Sequence, residues 1–359
     1  GQGLSVAAGL GVAARADGLD QRIYCVIGDG ESREGQIAEA LDFIVEHQLM
    51  NVLPIFNCNG YGQAATVSIQ QSPERIADKL TATGFRVLTI DGHDPTAIKD
   101  AIDVFIAGGD QPVAVVARTV KGWGVPSMQG EGWHGKPASG EALEQALEEL
   151  SATGAALTGT ASPDDLMIYP PSASHRAEPE RTTPMTMAEA LREWDMAHVL
   201  TNARLATRRA FGLALRAMGN ADSSVYALDA DTKNSTFTQT FGDAQGLTDR
   251  HLECRIGEQN MIGVAKGLAA AGKVPVCASF GKFITRAYDQ IEMAMNGGAN
   301  LKIVGSHAGI TLAADGPSQM SLPDVAWFRS LSTMRDHNGN PGCYILQPAD
   351  AYAAYGLTQ

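Results

Sequence analysis

The sequence predicts an α/β protein with parallel sheets, and three observations carry that prediction. Short apolar runs such as Ile23-Tyr24-Cys25-Val26-Ile27 are bounded by glycine and polar turns, as buried parallel strands are. Longer stretches between them place apolar residues at helical spacing, so strand and helix alternate. The alternation dissolves in a Pro-containing tract, Ser151 to Thr201, and resumes after it; at 359 residues the chain has the length of two ordinary domains.

The first stretch, Gly3 to Ala16, is rich in Gly and Ala, and Leu4, Ala7, Ala8, Leu10 and Gly11 suit a helix packed closely on a sheet. The strand Ile23–Ile27 ends in Gly28-Asp29-Gly30, which puts Asp29 at a carboxyl end and lets a ligand approach the backbone at Gly30. From Ser32 to Gln48, the residues Ile37, Ala40, Leu41, Ile44 and Val45 define a helix that packs back on the sheet while its first N–H groups face an anion. A second strand, Val52 to Phe56, delivers Asn57 and Asn59 to the same edge, where doubly wound sheets bind ligands.

An aspartate in a glycine turn is ordinarily only a turn former. Paired with Asn59, however, Asp29 offers a hard cation one carboxylate, one amide oxygen and a backbone carbonyl nearby. That set is too small to hold Mg2+ alone, because the ion keeps its other positions for water and substrate phosphates. The spacing therefore implies a phosphorylated partner.

Pro73 to Phe85 reads as a helix, Arg86 to Asp91 as a strand, Thr96 to Ala107 as a helix and Val113 to Thr119 as an apolar strand. Lys121-Gly122-Trp123-Gly124 and Trp133-His134-Gly135-Lys136-Pro137 follow in a Gly-rich loop, whose polar residues are ordinarily structural. Pro163, Pro170, Pro171, Pro179 and Pro184 mark the tract after it as a linker. A new unit opens with a helix from Ala206 to Met218, a strand at Val225 to Leu228 and the polar cluster Asp229 to Thr236. Arg255 to Met261 then leads into a small-residue helix, Ile262 to Ala271; a lone Glu258 at such a start is ordinarily a dipole-favoured cap. Phe280 and Phe283 stand at helical spacing, which core packing explains. The strand Leu301 to Val304 puts His307 near its end, where a histidine can bind or relay a proton near neutral pH. A last helix follows Leu346 to Pro348.

Composition excludes several classes. A net charge of −13 leaves no basic footprint for nucleic acid, no run approaches the length of a membrane span, and 44% apolar with 19% charged residues is a globular balance. Cys25, Cys58, Cys254, Cys277 and Cys343 are odd in number and far apart, so they read as buried thiols of a reducing compartment, with the cytosol as the expected location. The chain lacks an initiator Met and begins inside a motif, so a fragment or a subunit is expected.

Gly28-Asp29-Gly30, followed thirty residues after Asp29 by Asn59, resembles the thiamine diphosphate motif, and the whole chain from Gly1 resembles transketolase. Trp133 to Pro137, Asp231 to Thr236, Ile256 to Met261 and Asp315 to Met320 carry the likeness in the family's order. The resemblance implies two doubly wound parallel-sheet modules: a diphosphate-binding module over 1–155, a linker over 156–200 and a pyrimidine-binding module over 201–359. It implies thiamine diphosphate with Mg2+, or Ca2+ in its place, held by Asp29, Asn59 and the carbonyl of Tyr61, with Gly30, Gln63 and Lys121 on the diphosphate side. His134 would face cofactor and substrate. Glu258 would hold the aminopyrimidine of the cofactor so that the cofactor loses its own C2 proton, and Phe280, Phe283 and Gln319 would surround that ring. Arg208, Ser235, His307 and Asp315 would bind a sugar phosphate, with His307 also a catalytic candidate.

Four departures qualify the likeness, one being a loop between Lys121 and Trp133 about one residue shorter than the family's. The loop with a cofactor-touching histidine would lie upstream of Gly1, the family's third domain with a phosphate-binding arginine would lie beyond Gln359, and Lys282 stands where the family has a small residue. The implied reaction is transfer of a two-carbon ketol unit from a ketose phosphate to an aldose phosphate. The implied assembly is a homodimer with its active site at the subunit interface, or an assembly with a separate chain supplying the third domain. Alternatives are deoxyxylulose-phosphate synthase, a keto-acid dehydrogenase component and a catalytically silent binding or regulatory paralogue. A plain nucleotide-binding domain fits poorly, since no GxGxxG follows a strand.

Overall fold

The computed structural model describes residues 1–158, 178–336 and 338–359. The chain divides into two units, one of Gly1, Gly3 and Leu19–Arg176, the other of Gln2, Leu4–Gly18 and Ala177–Gln359.

The first unit has strands β1 (Ile23–Gly28), β2 (Val52–Cys58), β3 (Arg86–Asp91) and β4 (Val113–Arg118), all parallel and ordered β1-β2-β4-β3. Its long helices are Gly35–Glu46, Pro73–Thr83, Pro95–Ala107 and Glu141–Thr158. Pro73 and Pro95 each occupy a first helical turn, behind Ser72 and Asp94, whose side chains accept backbone N–H bonds. The helix Gly35–Glu46 returns the chain so that β2 runs parallel beside β1, and Asp29 and Asn59 leave adjacent strands at one edge. Two expectations change. β1 lies at the edge of the sheet, and Val26, read as buried, is 67% exposed on one face of it. The helix read from Ser32 starts later, at Gly35, since Glu31–Arg33 forms a separate 3-10 turn.

The second unit holds α1 (Gly3–Ala16) and the strands β5 (Val225–Asp229), β6 (His251–Glu253), β7 (Val274–Phe280) and β8 (Lys302–Ser306), parallel and ordered β6-β5-β7-β8. β6 and β7 are strands that periodicity misses, β6 for its three residues and β7 for its interrupting Pro275. Helix α2 (Thr207–Ala221) packs its Phe211 and Leu215 on this sheet with Val225, Ala227 and Val276. Helix α3 (Glu258–Ala270) opens the crossover to β7.

The sequence places α1 in the first module and against a sheet. Packing instead groups Leu4–Gly18 with the second unit, helix against helix. Any Cβ at Gly9 would overlap the backbone of Val264 and Gly267, and one at Gly267 would overlap Val6 and Leu10. Glycine on both faces lets the two backbones approach to direct contact. Asp17 and Lys273 close the end of this pair with a hydrogen-bonded ion pair.

Of the tract read as linker, 159–177 lies outside the described residues, with Pro163, Pro170 and Pro171. Beyond it, Met187–Glu193 and His198–Asn202 are short helices, and Ala190, Leu191, Met196 and Val199 are buried against α2 and Tyr355. All five cysteines are free. Burial pushes the Cys25 thiol up to about 11 and Cys58 up to about 12, so both stay protonated at neutral pH.

Candidate active site

In the first unit the site is built around Asp29, which is 2% exposed at the end of β1. Its Oδ1 accepts the Gly30 N–H at 2.7 Å and its Oδ2 accepts the Gly60 N–H at 2.6 Å. Gly60 sits at φ +80, a conformation that suits glycine and aims its amide back at the carboxylate. Asn59 Oδ1 accepts the Tyr61 N–H at 2.9 Å, so the chain from Asn59 to Tyr61 folds over Asp29. Gln71, missed in the sequence, donates from Nε2 to the carbonyls of Asp29 (2.9 Å) and Gly30 (3.2 Å). The signal was there: Ser68-Ile69-Gln70-Gln71 is a capping box, which fixes Gln71.

Among the described residues no Lys, Arg or His pairs with the Asp29 carboxylate. A carboxylate this buried, bonded only to two neutral amides, with the Asn59 amide oxygen in the same turn, is a donor set of hard oxygens that fits Mg2+ or Ca2+. Lys121 joins the same loop. Its Nζ donates to the Gly62 carbonyl at 3.3 Å and lies 5.4 Å from the Tyr61 ring centroid.

In the second unit a polar and aromatic cluster forms at the carboxyl edge of the sheet. Arg208 Nη1 donates to the Ser235 carbonyl at 3.1 Å and to His307 Nε2 at 3.0 Å. An arginine has only donors, so Nε2 is the acceptor and Nδ1 carries the proton that goes to Ser306 Oγ, 2.9 Å away. The His307 ring lies 4.2 Å from that of Phe280, which stacks on Phe283 at 5.0 Å and 15°. Four backbone positions here, Asp231, Phe237, Arg255 and His307, have positive φ without being glycine. Such strain gathers where a binding geometry has to be held.

The short helix that carries Ser235, Lys233–Thr236, is held at both ends by Asp229, a residue absent from the sequence reading of the site. It is fully buried at the end of β5 and accepts the Thr232 N–H (2.6 Å) and the hydroxyls of Thr232 (3.1 Å), Thr236 (2.8 Å) and Thr238 (2.9 Å). Burial pushes its carboxyl up, and these bonds pull it back. Asp229→Ala strands four buried donors; a loss of about 2–4 kcal/mol in urea unfolding is expected, together with weaker anion binding at Arg208.

Glu258 begins α3 and is 2% exposed. Its Oε2 accepts Nη1 of Arg286 at 2.6 Å.

Residues 1–156 match the transketolase thiamine diphosphate binding domain, and residues 203–359 match the transketolase pyrimidine binding domain. The chain belongs to the transketolase family. Rat transketolase is 35% identical over 356 residues, covering 98% of this chain and 53% of the rat protein. Human transketolase is 35% identical over 336 residues, covering 93% of this chain and 51% of its own. The chain thus spans about half the length of the curated relatives it matches. In structure it resembles the transketolase of Leishmania mexicana (TM-score 0.70, 19% identity) and that of Pichia stipitis in complex with sedoheptulose-7-phosphate (TM-score 0.71, 19% identity). Each likeness covers 99% of this chain and 57% of the other. The two parallel four-stranded sheets are the fold of those transketolases.

Within this chain, Arg208, Ser235, His307, Phe280 and Phe283 come together, as do Asp29, Gly30, Asn59, Tyr61 and Lys121. Others stay apart. His134 and Gln63 are exposed and form no side-chain hydrogen bond among the described residues, and Asp315 reaches His307 only through its charge. Gln319 bonds to its neighbour Ser318, and Lys282 makes no side-chain bond among the described residues.

Burial, and then the Arg208 charge, hold His307 below its ordinary value of 6.5, against the pull of Asp315. His251 is likewise held down, by burial and then Lys233. For both, the unfolded chain binds the proton more readily, so their contribution to stability is full above about 6.5 and is lost as pH falls through the lower folded values. Protonation of His307 would also turn Nε2 into a donor facing Arg208. Falling thermal midpoints below pH 6.5, with the histidine titrations followed by NMR, are the expected result; titration of His307 above 6.5 would contradict it.

Proposed function

We propose that this chain performs transketolase-type ketol transfer, moving a two-carbon unit from a ketose phosphate to an aldose phosphate with thiamine diphosphate and a divalent cation. One observation carries the reading: two buried carboxylates, Asp29 directly after β1 and Glu258 at the first position of α3, are each only 2% exposed. A fold seldom buries such groups without a cation or ligand to receive them.

Asp29, Asn59 and the Tyr61 carbonyl would hold the cation, and Lys121 the diphosphate. Phe280 and Phe283 offer a flat apolar face to the aminopyrimidine, and Glu258 would accept a hydrogen bond from its ring nitrogen. When bound, the cofactor supplies a carbon nucleophile that accepts and passes on the two-carbon unit. Arg208, with neutral His307 and the Ser235 loop, would take the sugar phosphate, as a fork of donors suits a phosphate. His307 would also hold or relay a proton on a sugar hydroxyl, and His134 and Asp315 are assigned to substrate contacts by family resemblance.

The assembly that fits this reading is a homodimer, Asp29 of one copy working with Glu258 of the partner subunit. The exposed Ile256, Ile310 and Leu322 beside the second half-site support a covered surface there. Because both matched domains are transketolase domains, the related thiamine diphosphate enzymes are less favoured.

Calorimetric titration with thiamine diphosphate and Mg2+, joined to a transfer assay from xylulose 5-phosphate, tests the proposal. Cation-dependent binding with turnover is expected. Binding without turnover would favour a silent paralogue, and absence of binding would sink the cofactor reading.

A further inference from the structure

Arg286 is the one side chain bonded to Glu258 among the described residues. It stands on the 3-10 turn Thr285–Ala287, directly after the short helix Gly281–Ile284 that carries Phe283. Its Nη1 is shared, donating at 2.6 Å to Glu258 Oε2 and at 3.2 Å to the Ile256 carbonyl. That carbonyl belongs to a loop under strain, since Arg255 just before it has φ +54.

The two partners differ sharply in solvation: the Arg286 side chain is 49% exposed and that of Glu258 is 2% exposed. A carboxylate so buried is costly to keep ionised without a bonded cation. Arg286 supplies the cation from the solvent side, where its own desolvation cost is small. Its bond to Oε2 leaves Glu258 Oε1 without a hydrogen bond among the described residues.

We propose that Arg286 is a positioning residue for Glu258, holding one carboxylate oxygen and the Ile256 loop so that the other oxygen is presented to the aminopyrimidine. The inference rests on the cofactor reading above. It assigns Arg286 a role that acts through Glu258, and it links the aromatic segment to the carboxylate through one guanidinium.

The test uses the whole chain with Arg286→Met, Arg286→Lys and the double variant Arg286→Met/Glu258→Gln. Without ligand, urea midpoints are measured from pH 5 to pH 9. Arg286→Met leaves a buried carboxylate unpaired, so its midpoint should fall relative to wild type as pH rises, and the double variant should remove that slope. With ligand, the Kd for thiamine diphosphate and Mg2+ should rise about tenfold in Arg286→Met, the scale of one charged hydrogen bond. Arg286→Lys should recover part of that loss. Because Arg286 is half exposed, all three variants are expected to fold; if one does not, Arg286→Lys alone still reads the pH slope and Kd. A wild-type pH profile together with an unchanged Kd in Arg286→Met would overturn the role given to Arg286. A wild-type chain that binds no thiamine diphosphate would overturn the cofactor reading itself, and the two failures are told apart by that control.

Discussion

Glu258→Gln will leave the chain folded and able to bind thiamine diphosphate, while ketol transfer falls by about 10²–10⁴-fold, the contribution of a positioned acid–base group. The variant keeps the volume of the side chain and an oxygen that can still accept from Arg286, so the start of α3 loses little. What it loses is the charge. A neutral amide is a much weaker partner for a protonated ring nitrogen, and the amide's N–H2 end sets a donor against the Arg286 donors if it turns the wrong way. The measurement pairs steady-state transfer with calorimetry, since the prediction is a split: turnover collapses while Kd moves by less than about tenfold. Equal losses in both would mean that Glu258 holds the cofactor without activating it. Unchanged turnover would remove Glu258 from the chemistry.

How far the sequence reveals the fold and site depends on how local each feature is. Asp29 and Asn59 are legible because one strand-helix-strand unit joins them, and parallel pairing of β1 with β2 places their strand ends side by side. The Arg208–His307 bond joins residues ninety-nine positions apart, and no spacing rule reaches that far; family resemblance alone named the pair. Periodicity says which face of an element is apolar but not what will cover it. Thus Ile23–Ile27 reads as a buried strand although β1 is an edge, and the small residues of α1 read as sheet packing although Gly9 meets Gly267 of α3. Phe280 and Phe283 read as one helical face, yet Phe280 ends β7 and Phe283 lies in the next short helix; the rings stack because the chain turns between them. Supporting residues were the hardest to see. Asp229, Gln71 and Arg286 act through hydrogen bonds to a loop or to another side chain, and each looks like an ordinary polar residue until the fold brings its partners in.

Asp29→Ala is the substitution expected to cost the first half-site most. The carboxylate gathers the amides of Gly30 and Gly60 from two separate segments, so its removal leaves two half-buried donors without acceptors and frees the Asn59–Tyr61 turn. That alone should lower stability by about 1–3 kcal/mol. The larger effect should fall on ligand binding. Asn59 and the Tyr61 carbonyl are neutral oxygens, and a divalent ion that keeps most of its water needs a carboxylate to remain in place. The Kd for thiamine diphosphate in the presence of Mg2+ should therefore rise at least about 100-fold, and added cation should no longer improve it. Asp29→Asn separates the two effects. It keeps one acceptor for a glycine amide and so should restore part of the stability, but without the charge it should not restore the dependence of binding on cation. The Asn variant sets the decisive comparison: if it binds cofactor with an undiminished Mg2+ dependence, Asp29 is the clasp of a turn, and the cation belongs elsewhere.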